Sequence, residues 1–152
     1  MGKINYGRVI LGGLAAGVVI NLFEGIMNGV VLEKQWADVM VGLNRSGVIS
    51  VKQIVAFNVW GFAAGLLTVW LYAAIRPRFG SGPKTAICAG LMVWFLGMAM
   101  ANAGPVFLHI FPVGLAVTAV AVELVEMLIA SVVGAYFYKE GAGEARSTAA
   151  RA

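Results

Sequence analysis

The sequence predicts an all-α membrane protein, a four-transmembrane-helix bundle with its N-terminus and C-terminus cytoplasmic, and three observations carry that reading. The 152 residues are 61% hydrophobic and only 12% charged, whereas soluble domains carry about 25% charged residues. Apolar runs near the length needed to span a bilayer, about 20 residues, occur four times. The Lys and Arg residues cluster in the segments that would share one side of the membrane. Residues 1–138 are read as one transmembrane domain, and 139–152 as a polar, disordered cytoplasmic tail.

The first span, 9–32, follows Lys3 and Arg8. It is longer than the apolar core of a secretory signal, contains Glu24, and has no small-residue cleavage pattern after it, so it is read as a helix that stays. The connection 33–53 carries Trp36, Val39, Met40 and Leu43 at the spacing of one helical face, with Gln35, Asp38 and Arg45 opposite. That pattern predicts a short amphipathic helix on the outer side. The second span, 54–75, is preceded by Ser50 and Gln53, a capping-box pair in which each side chain satisfies a free backbone N–H of the other residue. Arg76-Pro77-Arg78 is expected to end it. The third span, 85–104, runs up to Gly104-Pro105, where proline ends or kinks a helix. The stretch from Val106 to Phe111 reads either as a kinked extension or as an interfacial turn. The fourth span is 113–138.

Eight of the eleven basic residues lie in the N-terminus, the connection between spans two and three, and the tail. Retention of positive segments in the cytoplasm places both ends there. All four tyrosines, Tyr6, Tyr72, Tyr136 and Tyr138, fall near the same ends of spans, where amphipathic rings favour the headgroup region. The net charge of +4 is thus spent on orientation, and no nucleic-acid role is read from it. Cys88 is the only cysteine, so no internal disulfide and no cysteine metal site can form. Small residues four apart at Gly13/Gly17, Gly25/Gly29, Gly61/Gly65, Ala86/Gly90 and Ala130/Gly134 let helix backbones approach closely in lipid. The partners this implies are the lipid bilayer and a homo-oligomer or larger membrane complex.

The residues that point to chemistry are the acids within apolar spans: Glu24, Glu123 and Glu126. No Lys or Arg lies at comparable depth, and a charged side chain at a helix centre costs about 2.5–3.5 kcal/mol on insertion scales. Each must face the bundle interior or water, bind a cation, or stay protonated. Asn21, Glu24 and Asn28 are spaced to line one stripe of helix one, and Glu123 and Glu126 share a face of helix four. Asn58, Asn102 and His109 fall in the outer half by the same residue count. The expectation is a polar cavity opening outward, with carboxylates at its floor and amides on its walls.

Three functions fit this constellation. The first is a non-enzymatic structural or accessory membrane protein whose Glu and Asn side chains hydrogen-bond across helices. The second is a proton- or cation-binding transporter or channel-like protein. The third is a metal-dependent membrane enzyme with carboxylates and His109 as ligands, for which the Glu-x-x-His pairs of di-iron bundles are missing. No catalytic residue and no cofactor is assigned. The runs Gly61-Phe62-Ala63-Ala64-Gly65-Leu66-Leu67 and Leu71 to Gly80, with Glu24, resemble small bacterial four-helix inner-membrane proteins of unknown function. That resemblance implies a bacterial inner-membrane location and transfers no activity, cofactor or site residue.

Overall fold

A computed structural model describes residues 4–138, which are all-helical with no strand among them. Four helical rods are long and apolar enough to cross a membrane: Tyr6–Val31, Val51–Phe79, Pro83–Phe107 and Val113–Phe137. Each connection reverses direction, so one end of the bundle gathers Asn5, Tyr138 and the turn at Gly82, and the other gathers the connections between the first and second rods and between the third and fourth. Lys3, the expected tail 139–152 and its basic residues lie outside the described residues.

Helix α1 (Tyr6–Ile26) starts where the Asn5 side chain accepts a hydrogen bond from the Arg8 N–H at 3.2 Å. It continues into a wide π segment, Met27–Val31, closed by the Leu32 N–H donating to the Met27 carbonyl. Helix α2 (Glu33–Gly42) occupies the connection. Its polar Gln35 and Asp38 are exposed, while Trp36, Val39 and Met40 are half-buried. Asn44, at φ 56°, closes it: Arg45 N–H donates back to the Met40 carbonyl, the left-handed C-terminal cap that Asn tolerates better than most residues.

Helix α3 (Val51–Phe79) begins with the capping box: Ser50 N–H donates to Gln53 Oε1 at 2.9 Å, and Gln53 N–H donates to Ser50 Oγ at 3.4 Å. The expected stop at Arg76-Pro77 is corrected, because α3 runs through Pro77 to Phe79 and ends at Gly80, φ 86°. One proline costs only its own N–H bond in the last turn, and Gly80 supplies the conformation that breaks the rod. The third rod comprises α4 (Pro83–Trp94), a second π segment (Phe95–Ala99) and α5 (Met100–Phe107). Pro105 lies inside α5, so the stretch from Val106 begins as a helical extension and turns only after Phe107. Helix α6 (Val113–Phe137) completes the bundle.

Glycine sets the closest contacts. A Cβ on Gly65 would lie 2.5 Å from the Gly13 carbonyl oxygen, and one on Gly13 would lie 2.7 Å from Leu66 Cα, so α1 and α3 touch backbone to backbone. A Cβ on Gly90 would meet Ser131 Oγ at 2.8 Å, which joins α4 to α6. The Gly25/Gly29 pair differs from the other four, having no neighbour within 4 Å of an added Cβ. Of the four tyrosines, Tyr6 and Tyr136 are exposed, whereas Tyr72 and Tyr138 are buried and meet edge to face at 5.8 Å. The Tyr138 hydroxyl accepts from Asn5 N–H and the Tyr72 hydroxyl from Gly82 N–H, with the Arg76 guanidinium 5.8 Å over the Tyr138 ring. These contacts clasp the terminal end of the bundle.

Candidate functional site

Packing of α1 against α6 brings the three intramembrane acids together, although they come from opposite ends of the chain. Glu24 lies about 10 Å below the last residue of its rod and Glu123 about 15 Å below the start of α6. Glu24 acts electrostatically on both Glu123 and Glu126, and no Lys or Arg among the described residues is one of the charges acting on the three.

The three are held differently. Asn28 Nδ2 donates to Glu24 Oε2 at 2.6 Å, and Trp36 Nε1 donates to Asn28 Oδ1 at 2.8 Å. An indole can only donate, so the Asn28 oxygen must face Trp36 and its amino group must face Glu24. Glu24 Oε2 is therefore an acceptor in either protonation state. By contrast, Glu126 is 1% exposed, and its Oε1 has no hydrogen-bond partner among the described residues. Glu123, half-buried, leaves Oε2 in the same condition. A buried polar atom without a partner forfeits its hydration for nothing in return, at about 1–3 kcal/mol.

The amides divide. Asn21 turns away from the carboxylates: its Nδ2 donates to the Gly17 carbonyl at 2.9 Å and to the Asn58 carbonyl at 3.2 Å, and it packs over Gly61. It joins α1 to α3 and has no bond to Glu24. Asn58 offers the site no side chain, since its exposed amide donates to the Ile54 carbonyl. Asn102 is half-buried and donates to the Met98 carbonyl at 3.0 Å, a bond within its own rod. His109 is exposed in the turn after α5 at φ 55°, where the following N–H groups return to the Pro105 carbonyl. Its placement answers a backbone need. No group of three or more His, Cys, Asp or Glu side chains is arranged to hold a metal among the described residues.

Trp36 is the residue that pattern reading assigned only to an apolar face. Besides its bond to Asn28, its ring meets Phe111 edge to face at 5.2 Å, linking α2 to the turn before α6. The available signal was chemical: a tryptophan near a membrane-embedded amide needs an acceptor for its N–H. Phe111 also lines an open pocket of about 1040 Å³, together with Gln35, Asp38, Leu43, His109 and Thr118 among others. Trp94 makes a comparable link, donating to the Val120 carbonyl at 2.9 Å one turn before Glu123.

Comparison with models of known protein families, with curated proteins and with solved structures finds no match.

Proposed function

We propose that this is an integral protein of the bacterial inner membrane that binds protons or a small cation at Glu24, Glu123 and Glu126, as a transporter or channel-like protein. The observation that carries the proposal is Glu126, which is 1% exposed with a buried oxygen that has no hydrogen-bond partner among the described residues. Acids kept only to fix helix register would each hold a neighbouring helix by a hydrogen bond. Interhelical side-chain bonds within the bundle are made instead by groups such as Asn21, to the Asn58 carbonyl, and Trp94, to the Val120 carbonyl. Three acids with no basic partner require protons or a cation to balance them in a medium of low dielectric.

The topology proposed with this function keeps both termini cytoplasmic and α2 on the outer face, on the strength of the eight basic residues of eleven at the terminal end. Glu24 and Glu123 then lie in the outer half of the bundle with Glu126 near its middle, and the expected cavity with carboxylates at its floor is not found in the two pockets described, neither of which is lined by Glu24, Glu123 or Glu126. A structural or accessory role within an oligomer is the competing reading. A metal-dependent enzyme is not supported by the donor geometry, since His109 lines the open pocket with Gln35 and Asp38 and none of the three acids does.

Thermal stability of detergent-purified protein, measured across pH and a panel of monovalent cations, divalent cations and small amines, tests the proposal. A ligand of the folded state raises stability by mass action, by about 2.7 kcal/mol at a hundredfold excess over Kd. Selective stabilisation that disappears in Glu123→Gln and Glu126→Gln is the expected result. Variants as stable as the wild type, with no response to any cation or to pH, would transfer the acids to the structural reading.

A further inference from the structure

The neutral oxygens beside the three acids are already committed to N–H donors. Asn28 Oδ1 accepts from Trp36, so Asn28 turns N–H and not oxygen towards Glu24. The Val120 carbonyl, about one turn before Glu123, accepts from Trp94. A divalent cation takes about six or more oxygens, and no three acid, histidine or cysteine side chains among the described residues are arranged to hold a metal. Neither pocket described is lined by one of the acids, so neither gives a hydrated ion room beside them. What stays free is carboxyl oxygen: Glu126 Oε1 and Glu123 Oε2, both buried and without a hydrogen-bond partner among the described residues.

Such an oxygen lacks a donor, and a proton supplies one without a coordination shell. Uptake forms one O–H bond, removes one negative charge, and turns an acceptor into a donor for a neighbouring carboxyl; release reverses each change. We propose that the species this site takes up is the proton and not a metal ion, and that Glu126 is where it is held. This rests on the reading of the acids as a binding site and names the ligand. Glu126 is the member with no access to water, at 1% exposure, and it lies about 16 Å from the nearer end of α6. Of the elements packed on α6, α1 brings Glu24 to bear on it, and α6 itself adds Glu123. The π segments and α5 have no titratable residue, and the remaining Lys, Arg, Tyr and Cys residues of α1, α3 and α4 lie within about two turns of a rod end. The charge that a proton on Glu126 answers is therefore that of the other two acids.

Infrared spectroscopy of the full chain in lipid bilayers tests this, because the C=O stretch of a protonated carboxyl is resolved from that of a carboxylate and shifts in heavy water. At neutral pH the wild type is expected to show a protonated-carboxyl band. Glu126→Gln should lose a component of it, and Glu33→Gln, on exposed α2, should lose none. The same component should fade as pH is raised, return on acidification, and stay unchanged when sodium, potassium, magnesium or calcium is added at constant pH. A metal ion that discharges the band would overturn the proton assignment while keeping the acids as a binding site. Absence of the band from the wild type, or an undiminished band in folded Glu126→Gln, would remove Glu126 as the holder. A band that neither pH nor any ion alters would mark a fixed packing proton, and would overturn both this inference and the binding site beneath it. The pH and ion series use the wild type alone, so they decide the matter even if Glu126→Gln fails to fold.

Discussion

The two halves of the bundle are built on different terms. At the terminal end, glycines on α1, α3 and α6 bring backbones into contact, and the Tyr72–Tyr138 pair clasps the N-terminal segment and the turn at Gly82. Towards α2, Gly25, Gly29, Gly97 and Gly104 have nothing within 4 Å of an added Cβ, both π segments occur, and α1 and α6 part enough to leave a groove of about 550 Å³ lined by Phe23, Met27, Val122 and Val125 among others. The same residue type thus does opposite things at the two ends. Close packing holds the bundle where nothing need move, and the loosely packed half carries the acids and the α2 segment.

The largest effect that would test this contrast is Gly65→Val in the tight half. Its side chain would drive into the Gly13 carbonyl, and a loss of about 1–3 kcal/mol or more is expected, read by unfolding in mixed detergents. Tolerance of this change would show that α1 and α3 are not in backbone contact. In the other half, Glu126→Met should raise stability by about 1–3 kcal/mol, because it removes a buried oxygen without a described partner, while abolishing any response to cations. A destabilised Glu126→Met would mean that the carboxyl is satisfied in the membrane. Ser50→Ala breaks the capping box of α3 and should cost about 1 kcal/mol. The corresponding loss should appear as faster amide exchange in the first turn of α3, and unchanged exchange there would remove the cap from the account. Smallest is Gly25→Ala, which meets no neighbour and should stabilise by about 0.5–1 kcal/mol through helix propensity alone. A loss of stability would reveal a helix, from this chain or another copy, packed on that face.

Much of the architecture is legible residue by residue. The run from Val9 to Leu32, the Ser50/Gln53 pair and the i, i+3, i+4, i+7 pattern beginning at Trp36 each correspond to a helix or a cap, because each depends on neighbours within a turn or two. Pro77 was misleading: a proline near the end of a long rod disturbs only the last turn, so the rod ends at Gly80. The site was legible only in part. Glu24 and Asn28 share a stripe and are hydrogen-bonded, but Asn21, on the same nominal stripe, binds α3. Helical spacing gives angular position on one rod, whereas a side chain chooses its partner from what the neighbouring rods present. Asn58 illustrates the same point, contributing its backbone carbonyl where its amide was expected.

By itself the sequence determined the solvent and the scaffold. Four apolar runs leave the backbone no means of satisfying its polar groups in lipid except as helices, and that requirement is local. Tertiary structure decided which polar groups are satisfied. That Asn28 holds Glu24, that Trp36 orients Asn28, and that Glu126 is buried with an oxygen left over all follow from how far each rod is rotated and where π segments widen it. Those quantities belong to the packed bundle, since a shift of one residue turns a helix by about 100° and no short stretch of chain records it.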